Sequence, residues 1–188
     1  MDSIIALFIL VIGVTVVFAF RTAEPPTQQL ELYSLDMMNY LSKTKIKEVN
    51  NAVVFEMLSD DRITNKENTL FEQLAEFYYV CTTDPLAGDI NDCMADAKEF
   101  VKELTDGLLS KQFSYSIAIF VPPPANADGT SGEIVPEDTY LIYENKQNTA
   151  LVDAKVIIPT RRLVHGIYED EDSVDFFGPY LAEVVIWQ

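Results

Sequence analysis

The feature that most constrains this chain is an uncharged, apolar run near its beginning. From Ser3 to Phe20 the side chains are mainly those of Ile, Leu, Val and Phe, and none of them is charged. At 1.5 Å per residue, such a run forms a helix of about 26 Å, close to the thickness of a bilayer core. Because no face of this helix suits water, it has to be buried in lipid or in protein. We expect an apolar N-terminal transmembrane or filament-core helix within residues 1–24.

Two other interpretations of this run fit the sequence less well. A soluble helix that is apolar all round needs a core large enough to surround it. A cleaved secretory signal begins with Lys or Arg and ends at small residues. Here Asp2 is the only charge ahead of the run, and Arg21 follows Phe20 where a small residue is needed. The run is therefore expected to be retained.

The beginning of the chain resembles the mature form of type IV pilins. Met1 and Asp2 precede the apolar run, and the small residues Gly13 and Thr15 lie within it, as in helices that pack closely without water. In that family a prepilin peptidase cuts before the apolar helix, which makes Met1 the processed N-terminus. Bacterial members carry Glu at the fifth mature position, where this chain has Ile5, so the chain looks more like the archaeal branch. The ending from 177 to 187 also resembles the terminal strand of small archaeal pilin-like proteins.

The resemblance implies a structural subunit of an extracellular type IV pilus-like filament at the cell surface. Its implied partners are copies of itself in a helical homopolymer, the membrane before assembly, the pilus assembly machinery and the prepilin peptidase. The alternative is a membrane-anchored ectodomain that never polymerises, such as a minor pilin or a receptor-like binding module. No cofactor is implied. The residues assigned to the filament-core or membrane helix are Ile4, Ile5, Leu7, Phe8, Val11, Ile12, Val14, Thr15 and Phe18.

The net charge of the chain limits its possible partners, and its cysteine content indicates the cellular compartment in which it folds. Thirty acidic against thirteen basic residues give a net charge of -17, which repels phosphates, so no nucleic acid partner is expected. Concentrated salt screens this repulsion within about 3 Å at 1 M, so a salt-loving host also fits. The only two cysteines, Cys81 and Cys93, favour a disulfide outside the cytosol, with free buried thiols as the alternative.

We expect an α+β fold in which the long apolar helix is followed by a globular extracellular head, residues 25–188, helical over 28–110 and β-rich over 112–188. Pro25 and Pro26 predict a break between the apolar helix and the head. Helical spacing predicts three head helices, while the stretch from Ile46 to Met57 fits either a helix or a strand. The helical positions are Leu30, Tyr33, Met37 and Leu41; Leu70, Leu74, Phe77 and Cys81 behind a capping box at Thr64 and Glu67; and Ile90, Met94, Ala97, Val101, Leu104 and Leu108 behind Asp89.

Four strands are predicted after these helices, because aromatic and β-branched residues dominate there. They form an antiparallel sheet packed on the helices, with an exposed loop over 122–132. The predicted strands run from Phe113 to Val121, Thr139 to Glu144, Ala150 to Ile158 and Tyr180 to Trp187.

The residues that could carry chemistry do not form a recognised motif. His165, the only histidine, stands beside Arg161 and Arg162; it could act as a base, but an ordinary strand-edge histidine is the simpler interpretation. The run 169–175 offers oxygen ligands for calcium but lacks the turn glycine of an EF-hand, so a solvated loop is favoured. The two arginines alternatively meet this run in a neighbouring copy. We therefore predict no enzyme and no catalytic, cofactor-binding or metal residues.

Overall fold

Helices form one layer and an antiparallel sheet the other in the computed structural model, which describes residues 26–83, 89–121, 139–146, 150–169 and 174–188. The described chain is therefore α+β. The helices are α1 (Pro26–Lys43), α2 (Ala52–Ser59), α3 (Leu70–Thr83), α4 (Ile90–Cys93) and α5 (Ala95–Thr105), with short 3-10 turns at Ile46–Glu48 and Leu151–Asp153. The strands are β1 (Ser114–Phe120), β2 (Thr139–Asn145), β3 (Ile157–Glu169) and β4 (Val174–Trp187).

The predicted fold class, with a long apolar helix ahead of the head, was wrong for the structure as described. The first described helix, α1, carries the charged residues Glu31, Asp36 and Lys43, so it is an amphipathic helix of the head. Within the described ranges, every helix is too short or too polar to cross a membrane. The apolar run itself, with all its assigned core residues and Met1, lies outside the described residues. The fold class is corrected to an α+β head in which α1 is the first described element.

The stripe predicted for α1 is confirmed as buried at three of its four positions, whereas the fourth, Tyr33, is 37% exposed. Leu30, Met37 and Leu41 are buried in the main core, and the helix begins at Pro26, a residue suited to the first turn because it lacks an amide hydrogen. On the same side, the hydroxyls of Ser34 and Thr160 lie 2.6 Å apart. α1 therefore lies across the inner face of the sheet, against β3 and β4.

The capping box predicted for α3 lies five residues further along the chain. The Thr69 amide donates to Glu72 Oε2 at 2.7 Å, and the Glu72 amide donates to Thr69 Oγ1 at 3.3 Å. The predicted Glu67 instead pairs with Lys45 and Lys47. Both segments have the same Thr-x-x-Glu spacing, so spacing alone could not choose between them.

The other helices differ from prediction at their ends. For the stretch from Ile46 to Met57, where the sequence allowed either a helix or a strand, the structure has a 3-10 turn followed by α2. The N-cap of α2, Asn51, accepts hydrogen bonds from the amides of Val53 and Val54. The predicted third helix is split at Met94 into α4 and α5. It ends at Thr105, so Leu108 lies outside it and is 48% exposed.

The sheet has the strand order β2-β1-β4-β3, with antiparallel neighbours throughout. The strand predicted from Ala150 to Ile158 was wrong, because its first part is a 3-10 turn and β3 begins at Ile157. β-branched residues can favour a strand, but a strand also needs a partner. Here β4 supplies it over the full length of β3.

β4 starts at Val174, earlier than the predicted Tyr180, and passes through Gly178 and Pro179. The pairing register shifts between Val164 and Gly166, next to these two residues. Such an irregularity accommodates a proline within a strand, because fewer ladder hydrogen bonds are required there.

The predicted disulfide between Cys81 and Cys93 is present, with Cα atoms 5.6 Å apart. It joins the last turn of α3 to the end of α4. Both sulfurs belong to this bond, so the alternative of free buried thiols does not apply.

The backbone at Gly166 lies so close to the ring of Phe177 that a larger residue would not fit there. A Cβ at this position would lie 2.3 Å from the tip of the Phe177 ring. That ring is buried and stacks on Tyr79 at 5.6 Å and on Tyr180 at 6.2 Å between ring centroids. The ring therefore has little room to move away.

We expect Gly166→Ala to lower the free energy of unfolding by about 1–3 kcal/mol, because overpacking displaces a ring held between two others. Urea unfolding of the full chain in mild detergent measures the change. Phe177→Leu added to Gly166→Ala should recover part of the loss by removing the ring. An unchanged stability for the single variant would show that the aromatic stack adapts freely.

Candidate assembly surface

Two surfaces in different layers of the head carry several of its exposed apolar side chains. The inner face of the sheet is covered by helices, since Ile117, Val184 and Ile186 are completely buried in the main core. The opposite, outer face has no helix from the described residues on it; it is buried along β1 and exposed along β3. There, Leu163 is 59% and Phe176 79% exposed, which is unusual for large apolar side chains grouped on one face.

The outer stripe of β3 consists of alternate residues of that strand, namely Ile157, Pro159, Arg161 and Leu163. Their β4 partners by register are Trp187, Val185, Glu183 and Leu181. All four stripe residues are exposed. Since strand residues two apart share a face, the stripe is an apolar surface that contains one cation.

Arg161 is held in place by its own sheet. Its Nε donates to Glu183 Oε2, and its guanidinium carbon lies 5.7 Å from the centre of the buried Phe120 ring. The side chain is 53% exposed, and its terminal amino groups remain as further donors. Glu183 of the same chain therefore competes for Arg161 with the acidic run of a neighbouring copy, which is the partner expected from the sequence.

The α1 groove is the second surface, on the helix side of the head. It has a volume of about 280 Å³ and lies between α1 and the segment that follows α5. Tyr33, with its ring centroid 5.1 Å from that of Phe113, forms part of its wall. Its lining residues are Tyr33, Asp36, Met37, Tyr40, Leu108 and Leu109.

Among the described residues that line the α1 groove, Asp36 is the only charged one. It is exposed, whereas Met37 beside it is buried. The groove is therefore apolar with one carboxylate, and it suits an apolar segment that carries one positive charge.

β3 forms one edge of the sheet but is poorly suited to pair with another strand. Pro159 has no amide hydrogen to donate, Arg161 and Arg162 place charge on the strand, and the register shift before Gly166 bends it. Each of these features disfavours edge-to-edge pairing. Contacts of β3 with another molecule are thus expected through its outer face.

His165 lies on β3 beside a small cavity of about 150 Å³ that also has Ser42, Thr69, Glu72 and Arg162 in its lining. Glu72 is already used to cap α3, since it accepts the Thr69 amide at 2.7 Å. His165 is exposed, and no described hydroxyl or thiol is hydrogen-bonded to it as an activated nucleophile would be. The cavity gives no support to an acid–base role for His165.

The acidic run 169–175 lies mostly outside the described residues, which include only Glu169, Val174 and Asp175 of it. All three lie in the sheet, where Glu169 pairs with Val174 and Asp175 with Tyr168. Among the described residues, no three His, Cys, Asp or Glu side chains are close enough to hold a metal ion. The prediction of a solvated loop therefore stays a prediction.

Glu76 is the one described carboxylate in a buried hydrogen-bond cluster. Its oxygens accept from Asn68 Nδ2 at 2.6 Å and from Gln73 Nε2 at 3.3 Å. Burial raises the pKa of Glu76, although hydrogen bonds from Gln73, Asn68 and Thr64 partly offset this rise. The cluster fixes the segment before α3 to that helix and so supports one end of the helix layer.

We expect the free energy of unfolding to fall as pH rises from the ordinary pKa of Glu76, 4.5, to its raised value in the fold. In this window the unfolded chain has already lost the proton that the folded chain still holds. Glu76→Gln, which cannot titrate, should remove this part of the pH dependence. Urea unfolding from pH about 4 to about 8 measures it, and the exposed Glu103→Gln is the control. Parallel pH profiles for wild type and Glu76→Gln would contradict the assignment.

Sequence reasoning missed both surfaces for identifiable reasons. The predicted third strand ended at Ile158, so most of the stripe lay outside it. Residues 157–163 are Ile-Ile-Pro-Thr-Arg-Arg-Leu, which lack the apolar–polar alternation that marks a half-buried strand. Leu108 was placed on the buried side of a helix, whereas the chain leaves that helix at Thr105.

The chain matches no protein-family model, no curated protein and no solved structure.

Proposed function

We propose that this chain is a structural subunit of an extracellular pilus-like filament. The observation that carries the proposal is the presence of two exposed apolar surfaces, the outer stripe of β3 and the α1 groove, in different layers of one small head. Two unlike surfaces on one subunit favour head-to-tail contacts, and contacts that do not close into a ring give an open polymer.

The apolar run ahead of the head supports the same proposal. Residues 3–20 hold no charge, so they need an apolar environment, and copies of the same run in a filament supply one. Removing apolar surface from water is worth about 25 cal/mol per Å². The contribution per subunit is therefore large compared with that of any one contact between heads.

The Cys81–Cys93 disulfide supports an extracellular location. Disulfides form and persist mainly in oxidising compartments, such as the cell surface. The excess of acidic residues is consistent with an exposed, highly soluble head.

Electron microscopy of the full chain purified from producing cells tests the proposal. Long fibres of uniform width, labelled along their length by an antibody against the head, are the expected result. Isolated particles at the same protein concentration would contradict it and would favour the non-polymerising ectodomain.

A further inference from the structure

We propose that the outer stripe of β3 in one copy packs into the α1 groove of the next copy. The proposal rests on the proposed function, because it names the contact between heads in such a filament. The partner is a second copy of this chain, and the contact is heterologous, since it joins two different surfaces.

The apolar parts of the two surfaces match in kind. The stripe presents exposed Ile157 and Leu163 on either side of Arg161. The groove presents Leu108, Leu109 and the ring of Tyr33 around a volume of about 280 Å³, which is large enough for an apolar side chain to enter. Burying these side chains against each other removes from water the apolar surface that the isolated head leaves exposed.

Charge favours the stripe as the partner of the groove, because Asp36 is the only charged side chain among the described residues that line the groove. Phe176, which is also exposed, pairs by register with the uncharged Ile167. The stripe instead brings Arg161, whose terminal amino groups can donate to Asp36 while Nε stays on Glu183. In a chain of net charge -17, a contact that pairs opposite charges also reduces repulsion between copies.

The shape of β3 supports a contact through its face. Pro159 and the register shift before Gly166 oppose the addition of a strand at this edge. These features do not hinder a contact through the outer stripe, because a contact through the face of a strand uses side chains and leaves the strand's hydrogen bonds unchanged.

Cysteine cross-linking in the full chain tests the contact. Leu163→Cys and Leu108→Cys are made in two chains with different tags, which are co-expressed in the producing cells. Both native cysteines are already joined to each other, so a new cross-link reports only the introduced pair. We expect a mixed dimer of the two tagged chains on a non-reducing gel, and its loss when Val152→Cys, an exposed position outside both surfaces, replaces Leu163→Cys.

Charge reversal within the cross-linking pair tests the part of the contact made by Asp36. Asp36→Lys in the Leu108→Cys chain should abolish the mixed dimer, whereas Glu31→Lys, an exposed carboxylate of the same helix outside the groove, should leave it unchanged. Cross-linked dimers of Leu108→Cys with itself, or equal yields from both reversals, would overturn the contact.

The outcome separates this inference from the proposed function. Filaments without the mixed dimer would overturn the contact and leave the filament proposal standing. A mixed dimer without filaments would support the contact and count against a filament.

Discussion

A single aspartate at Val11 is expected to abolish filaments. Val11 lies in the middle of the uncharged run from Ser3 to Phe20, so in an assembled filament its side chain would be surrounded by apolar side chains. A charged group without a partner in such surroundings costs several kcal/mol, and a polymer repeats that cost in every subunit. Electron microscopy of cells that produce Val11→Asp checks the expectation.

The same substitution at Val152 is the matched control. Val152 is 88% exposed and belongs to neither proposed contact surface, so Val152→Asp should leave filaments unchanged. Immunoblots confirm that both variants are made in equal amounts. Filaments of normal length and number from Val11→Asp would refute the proposed role of the apolar run.

Removing the disulfide is expected to cause the largest loss of head stability. The bond joins residues twelve positions apart, and closing a short loop of this size lowers the entropy of the unfolded chain by the equivalent of about 3 kcal/mol. Cys81→Ala together with Cys93→Ala should lower the free energy of unfolding by about that amount. Since a small domain has only about 5–15 kcal/mol in total, the variant should unfold at clearly lower urea concentration.

Reduction of the wild-type chain provides an independent check on this value. Dithiothreitol should destabilise the wild type by a similar amount and should have no effect on the double-alanine variant. A double-alanine variant as stable as the oxidised wild type would show that native packing around Cys81, which is largely buried, holds α3 and α4 together without the bond.

Elements with a strong local sequence signal were predicted closely. The apolar spacing of α1 correctly identified Leu30, Met37 and Leu41 as buried, because helical periodicity reflects one contiguous face, but it also included Tyr33, which is 37% exposed. The pairing of Cys81 with Cys93 followed from their being the only two cysteines. The strands β1 and β2 were located to within a residue or two by their aromatic and β-branched content.

Errors arose where distant residues decide the structure. β3 was placed too early, because its extent depends on pairing with β4, which sequence alternation in one strand does not reveal. Two segments with identical Thr-x-x-Glu spacing competed for the start of α3, and the bridge between Lys45 and Thr69 favours the second. Neither contact surface could be predicted, since each combines residues from segments far apart in the chain or from a strand placed incorrectly.

The irregular edge of β3 has a consequence for how such a protein can be stored and exported. A chain produced in many copies passes through a crowded state in which exposed strand edges seed ordered aggregates. Pro159, the adjacent arginines and the shifted register before Gly166 make this edge a poor template. The β3 edge therefore disfavours ordered aggregation at high local concentration, and it leaves the side-chain surface of this strand free for reversible association.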